Sequence, residues 1–180
     1  MKRASAAALL LLAACAASSP RVSEWRRARV ETSNRGFSDW SNITNNMMVE
    51  KYGPPDRVET LRLVWEDRGP WKRIVVWDEL GFLDNNHAGR NIESAIVYPV
   101  PADKKEALLA FSSGLHVSAD GVELSARSTS EDRNILMLNL ADGIVKGRLS
   151  VEEARADYLR TLQLAAAGKS QASMRRLGFR

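Results

Sequence analysis

The single cysteine of this chain, Cys15, is the feature that most constrains its fold. A chain with one cysteine can form no internal disulfide, so a buried core must hold it together. Apolar residues make up 44% of the 180 residues, which is enough for such a core. Cys15 follows a short apolar run, residues 6–14, which itself follows Lys2 and Arg3. This pattern is typical of a secretory signal peptide, so residues 1–14 are predicted to be removed.

The end of this run, Leu12-Ala13-Ala14-Cys15, resembles the lipobox of bacterial lipoproteins. The resemblance implies that Cys15 becomes the first mature residue, with a diacylglycerol on its sulfur and an acyl chain such as palmitate on its amine. Two or more acyl chains anchor a protein stably in a membrane. Ala16 follows the cysteine, which by the same resemblance implies the periplasmic face of the outer membrane in a Gram-negative cell. The alternative is an ordinary signal peptide that contains a cysteine by chance.

Charge is distributed unevenly along the chain. Residues 21–35 carry five basic and two acidic groups, and residues 158–180 carry five basic groups and no acidic one. Residues 36–157 carry 14 basic and 20 acidic groups, so an acidic middle has basic flanks. The basic ends are either solvated or lie against anionic membrane, where each Lys or Arg contributes about 1 kcal/mol. Nucleic acid is not an expected partner, because the exported chain has no known binding motif.

The mature chain has the length of one domain. We expect a lipidated flexible tether over residues 15–36, a single α+β domain over residues 37–167 and a basic tail over residues 168–180. The tether is rich in small, polar and basic residues, and a coil of its length reaches about 25 Å. No later segment is apolar over the roughly 20 residues that a membrane-spanning helix needs.

Turn-forming residues and alternating apolar residues divide the first half of the domain into short elements. Pro54-Pro55 forbids continuation of any helix that precedes it. The predicted elements are a helix capped by Thr44 and ended by Gly53, strands over residues 57–66, 71–79 and 92–99, a turn over residues 67–70 and a loop over residues 81–90.

Capping signals dominate the second half of the domain. Ser128 with Glu131, and Ser150 with Glu153, each have the spacing of a capping box. The predicted elements are a helix over residues 103–111, a hairpin around Asp120-Gly121, and helices over residues 130–147 and 151–167. The fold class is therefore α+β, with an antiparallel sheet of three to five strands packed against helices.

Residues that carry chemistry are few and scattered. His87 and His116 have no second ligand or partner at a diagnostic spacing, and no catalytic or phosphate-binding motif is present. We therefore expect no cofactor, no metal site and, on balance, no enzyme. The alternatives are a periplasmic hydrolase or transferase with an unrecognised site, or a protein that binds a small ligand or a lipid.

Three tryptophans lie on the first predicted hairpin: Trp65, Trp71 and Trp77. Alternation places Trp71 and Trp77 on one face with Arg73 between them. We expect Trp77 to pack in the core and Trp71 to be at least partly exposed. Because Trp and Arg are common in binding hot spots, Trp65, Trp71 and Arg73 form the candidate partner surface.

Two further resemblances concern the body of the chain. The segments Tyr52-Gly53-Pro54-Pro55-Asp56 and Gly69-Pro70-Trp71-Lys72-Arg73, with Trp65 between them, resemble an uncharacterised group of small exported bacterial proteins. The order of helix, Gly-x-Pro and tryptophan-bearing strand pair over residues 44–99 is similar to the SmpA/OmlA-like small lipoproteins. That similarity implies helices on a three-stranded sheet and a role in outer-membrane assembly complexes. Together these observations predict a lipid-anchored envelope protein that acts as a non-enzymatic interaction or assembly module for another envelope protein.

Overall fold

A computed structural model describes residues 36–78, 89–169 and 171–179 of the chain. Within these residues the fold is an antiparallel sheet with helices, so the predicted α+β class is confirmed. The elements are α1 (Asp39–Tyr52), β1 (Arg57–Glu59), β2 (Arg62–Arg68), β3 (Trp71–Trp77), β4 (Ile92–Val97), α2 (Lys105–Phe111), β5 (Leu115–Val117), β6 (Glu123–Ser128), α3 (Glu131–Val145) and α4 (Val151–Ala166). Single 3-10 turns lie at Ala102–Lys104 and Ala172–Met174. None of the described helices is long and apolar enough to cross a membrane.

The described sheet has six strands in the order β1-β2-β3-β4-β6-β5, one more than the expected range. The additional strand arises because residues 57–66 do not form one strand. The chain turns at Thr60-Leu61, and Glu59 pairs with Arg62 across that turn. The apolar positions Val58 and Leu61 are exposed as a result.

The described helices cover one face of the sheet. Alternation along each strand sends large apolar side chains toward them, as expected of an antiparallel sheet with one covered face. The strand side chains on this face are Leu63, Trp65, Ile74, Val76, Ile92, Ile96, Leu124 and Ala126. The opposite face receives charged residues of the same strands, such as Arg62, Arg73 and Glu93, together with Val64 and Val75.

The N-cap of helix α1 lies six residues before the predicted cap. Ser38 is the N-cap, and its Oγ accepts a hydrogen bond from the Ser41 N–H at 3.3 Å. Ser38 also donates from N and Oγ to Asp78, at 3.0 and 2.6 Å, so the buried Asp78 positions the start of the helix. Thr44, the predicted cap, instead lies inside the helix and accepts a hydrogen bond from Asn91. The helix ends at Gly53 as predicted, where φ is +80°.

One of the two predicted capping boxes is correct. Ser150 and Glu153 form both reciprocal hydrogen bonds at the start of α4. At α3 the N-cap is Ser130, whose side chain accepts from the Arg133 N–H. Ser128 is buried two residues earlier and donates to Asn134 at 2.6 Å. Ser128 is the last residue of β6 and uses its hydroxyl inside the protein, so it does not cap α3.

The basic tail packs on the domain over the residues that the structure describes. Asn139 of α3 donates to the carbonyls of Ser173 and Arg176, and its amide oxygen accepts from the Gly178 N–H. The Leu177 side chain is buried in the core. Residues 171–179 thus form a strap that α3 holds in place.

Candidate functional site

The sheet face opposite the helices forms a concave groove of about 580 Å³. Five arginines from separate segments of the chain line it, and we call it the arginine groove. Its lining comprises Arg57, Arg62, Arg73, Arg90 and Arg127 together with Val64, Val75, Trp77, Glu93, residues 113–115, His116 and Ser125.

Strand register places these side chains. Arg57 pairs with Val64, Val64 with Val75, Val75 with Glu93, and Glu93 with Arg127, so one row of neighbours crosses five strands. Four inter-strand steps of about 4.8 Å separate the Cα atoms of Arg57 and Arg127 by about 19 Å along the sheet. In the middle of this row, Val64 and Val75 are 1% and 3% exposed and form an apolar floor.

Trp77 organises one end of the arginine groove. Its indole N–H donates to Glu93 Oε2 at 3.1 Å. The guanidinium carbons of Arg62 and Arg127 lie 5.3 and 4.9 Å from the centre of its ring system. Arg127 also donates from Nε to the Arg90 carbonyl at 2.8 Å. Cation–π contacts and hydrogen bonds therefore fix two guanidinium groups beside one ring.

Carboxylates border the arginine groove and pair with three of its arginines. The pairs are Arg57 Nη1 with Glu66 at 2.7 Å, Arg62 Nε with Glu59 at 2.5 Å, and Arg73 Nη1 with Glu123 at 3.4 Å. The Arg62 guanidinium holds the pKa of the Glu59 carboxyl below its ordinary value, and Lys72 does the same for Glu123. Because the arginine side chains are 32–52% exposed, each pair adds little stability and can exchange with a ligand.

The predicted partner surface of Trp65, Trp71 and Arg73 is not a surface in the structure. Trp65 and Trp71 are 0% and 2% exposed, and both lie in the core on the helix side of the sheet. Trp65 donates its indole N–H to the Gly53 carbonyl at 2.8 Å. Arg73 alone reaches the open side, where it lines the arginine groove.

Trp71 and Trp77 lie on opposite faces of the sheet, whereas alternation places them on one face, and their expected exposures are reversed. Asp67 has φ +50°, and the β2–β3 register omits the pair that it would make with Lys72. This irregularity breaks the alternation between Trp71 and Arg73, so the Trp71 ring turns to the helices. Trp77, predicted to be in the core, is partly exposed in the arginine groove.

Four groove arginines, Arg57, Arg62, Arg90 and Arg127, are absent from the sequence-based candidates. Three of them lie at strand positions whose alternation with core residues is visible in the sequence. These arginines could be predicted as a group only from the sheet face that they share. That face cannot be deduced until the order of strands β1, β2 and β6 in the sheet is known.

The predicted chemistry-bearing residues are placed as follows. His116 lines the groove opposite Ser125 on the neighbouring strand. Cys15 and His87 lie outside the described residues. In the described part of the chain, no three His, Cys, Asp or Glu side chains come together as a metal site.

Two buried carboxylates lie in the helix layer, away from the groove. Glu131 accepts from Trp71, Tyr52 and Lys51 at 2.5–2.7 Å. The second, Asp142, accepts from Tyr98, Lys146 and Arg148 at 2.5–2.8 Å. Each carboxylate joins separate elements through several charge-assisted hydrogen bonds, which identifies them as structural ties.

Comparison with protein families, curated proteins and solved structures gives no match to this chain. The geometry of the arginine groove is therefore the basis for any assignment.

Proposed function

We propose that this chain is a lipid-anchored protein of the cell envelope whose domain is a non-enzymatic binding module, and that the arginine groove receives an anionic part of its partner. The observation that carries the proposal is the convergence of five guanidinium groups from five segments of the chain on one concave surface. Arginine forms planar, paired hydrogen bonds with carboxylates and phosphates and is weakly hydrated, so it is suited to this use.

Hydrogen bonds between described residues already orient arginines of the groove. Among the described residues of the lining, Glu93 accepts a hydrogen bond from the Trp77 indole. Arg90 donates to the Ser113 hydroxyl, and Arg127 to a backbone carbonyl. Ligand carboxylates or phosphates would add charge-assisted hydrogen bonds to guanidiniums that are already oriented.

The proposed anchor is a lipid on Cys15, presented on the tether of residues 15–36. Support comes from the lipobox resemblance and from the basic residues that flank the domain. Its test is metabolic labelling with palmitate in a bacterial host. We expect label on the wild-type protein and none on Cys15→Ala, and retention of label by the variant would contradict the anchor.

A hydrolase is the second candidate, because His116 and Ser125 are cross-strand neighbours that both line the groove. A serine beside a histidine is the minimum of a nucleophile and its base. A fluorophosphonate probe separates the two functions. Modification of Ser125 that requires His116 would favour hydrolysis over binding.

A binder of small apolar ligands has less support. The hollow between α2 and α4, lined by Phe111, Met137, Tyr158 and Leu159, has a volume of only about 210 Å³. Ligand pockets are usually about 300–1,000 Å³.

The test of the binding module is a panel of anionic probes: polyglutamate, inorganic polyphosphate and vesicles with 30% phosphatidylglycerol. We expect at least one probe to bind the wild-type chain in a salt-dependent manner and to lose binding to Arg57→Gln/Arg73→Gln. The matched control is Arg160→Gln/Arg175→Gln, which removes the same charge from exposed positions outside the groove. Equal binding by both double variants would contradict the proposal.

A further inference from the structure

We infer that the occupant of the arginine groove is an extended acidic segment of a partner protein, with apolar side chains between its carboxylates. This inference rests on the proposed function, since it names the chemistry of the partner at the same site. Four features of the groove carry it: the spread of its arginine positions along the sheet, its partly apolar lining, its carboxylate border and the engaged ring of Trp77.

The backbone positions of the arginines are spread along the sheet. The Cα atoms of Arg57 and Arg127 lie at the two ends of a row about 19 Å long, and Arg73 lies one row away on the strand between them. An occupant that lies along the whole row must therefore be extended. An extended peptide rises about 3.3 Å per residue, so about six residues span the row with negative side chains at separate positions.

The lining between the arginines is partly apolar. Val64 and Val75 beneath it are only 1% and 3% exposed, so an occupant meets the partly exposed Trp77 and the aliphatic stems of the arginines. A peptide can present both apolar groups and carboxylates to such a lining, because alternate side chains of an extended chain face opposite ways. A flat anionic membrane surface offers no side chains that enter a concave site.

The border carboxylates disfavour a dense polyanion. Glu59, Glu66 and Glu123 already pair with groove arginines, so polyphosphate or nucleic acid would bring repeated negative charge next to them. Like charges in close contact cost free energy across an interface. A peptide with carboxylates at intervals can meet the guanidiniums and avoid these positions.

Trp77 does not present a free stacking platform for a sugar. The guanidiniums of Arg62 and Arg127 lie within 5.3 Å of its ring centre, and Glu93 accepts its indole N–H. The basic flanks of the chain itself carry the same sign of charge as the groove arginines and so would be repelled. Residues 21–35, for example, carry five basic and two acidic groups. We therefore assign the acidic segment to a partner protein and not to these flanks.

The experiment uses the full chain and four probes: the capped peptide (Asp-Val)4, its relatives (Ser-Val)4 and (Asp-Ser)4, and inorganic polyphosphate. Binding of fluorescent peptides is followed by anisotropy at low and physiological salt, and polyphosphate by competition and calorimetry. Circular dichroism confirms that each variant is folded. The variants are Arg57→Gln/Arg73→Gln, Arg127→Gln and the control Arg160→Gln/Arg175→Gln.

We expect (Asp-Val)4 to bind the wild-type chain at least about tenfold more tightly than (Ser-Val)4, because charge-assisted hydrogen bonds distinguish them. (Asp-Ser)4 should bind more weakly than (Asp-Val)4, since it brings no apolar side chains to Trp77 and the aliphatic stems of the arginines. Both groove variants should weaken (Asp-Val)4 by about tenfold, and the control should not.

Equal binding of (Asp-Val)4 to the groove double variant and the control would overturn the inference. If polyphosphate binds in a groove-dependent manner and (Asp-Val)4 does not, the acidic-peptide inference fails while the proposed function stands. If no anionic probe binds in a groove-dependent manner, both fail.

Discussion

Trp71 donates its indole N–H to a carboxylate oxygen of Glu131 over 2.7 Å, and so joins β3 to the first turn of α3. Tyr52 and Lys51 at the end of α1 bind the same carboxylate at 2.5 and 2.6 Å. Glu131 is 7% exposed, so the tie between three elements is formed inside the protein. Two residues after Trp71, the strand presents Arg73 to the groove on the other face of the sheet.

Trp71→Phe should destabilise the fold through this tie. The change keeps an aromatic ring but removes the N–H that Glu131 accepts, and a hydrogen bond to a charged group contributes about 1.5–3 kcal/mol. We expect a loss of that size in the free energy of unfolding, measured by urea denaturation. In the Glu131→Gln variant, Trp71→Phe should lower the free energy of unfolding by less, so the effects of the two substitutions should be non-additive. Additive effects would show that the indole and the carboxylate are not coupled.

Gly114→Ala should disturb the edge of the groove. A Cβ at Gly114 would lie 2.6 Å from the Arg127 carbonyl oxygen, a backbone atom that cannot move aside. We expect a loss of about 1–3 kcal/mol in the free energy of unfolding, as for other overpacked sites. Gly178→Ala is the control, because its Cβ would meet Asn139 at an ordinary 3.6 Å. Similar effects of the two changes would contradict the close approach of β5 and β6.

Asp142 should make stability depend on acid pH. Burial alone would raise the pKa of Asp142, but hydrogen bonds from Lys146, Tyr98 and Arg148 outweigh it and hold that pKa below its ordinary value. A lowered folded-state pKa gives stability that is present above the unfolded value of about 3.9 and is lost as pH falls through the folded value.

The measurement is thermal unfolding of the wild type and of Asp142→Asn between pH 7 and pH 2.5. We expect the variant to be less stable at pH 7 by about 1–3 kcal/mol and to lose less stability below about pH 4. Asp157→Asn is the control, since Asp157 pairs with Arg160 on the helix surface. An unchanged acid limb in Asp142→Asn would refute the role of this carboxylate.

Asn139→Ala should release the C-terminal strap without unfolding the domain. The side chain makes three hydrogen bonds to the backbone of residues 173–178, and Phe179 adds an edge-to-face contact with Tyr98 at 5.3 Å. We expect faster amide hydrogen exchange in residues 171–179 and little change in the sheet. Phe179→Leu keeps the backbone bonds and should have a smaller effect. Unchanged exchange in Asn139→Ala would show that the strap is held by other contacts.

The sequence predicts local features better than their arrangement. The Gly53 stop and the Ser150–Glu153 capping box were readable because each depends on residues that are neighbours in the chain. The Ser128–Glu131 pattern fails for a tertiary reason. The hydroxyl of Ser128 is taken by Asn134, and the carboxylate of Glu131 by residues of α1 and β3.

The groove illustrates the same limit. Arg57 and Arg127 are 70 positions apart, and only the strand order brings them onto one row. Trp71 and Trp77 were placed on one face because strict alternation was assumed along β3, and the irregular pairing opposite Asp67 interrupts it beside Trp71. A positive φ is hard to predict from sequence when the residue is not glycine, because few other residues adopt it.

The central claim, that the arginine groove holds an acidic partner segment, is tested most directly by NMR titration of the full chain with (Asp-Val)4. The resonances to follow are the Nε–H signals of the groove arginines, which report on each guanidinium separately. We predict shifts at Arg57, Arg62, Arg73, Arg90 and Arg127, and no shift at Arg160 on α4. Shifts confined to the helix layer, or none at saturating peptide, would contradict the claim.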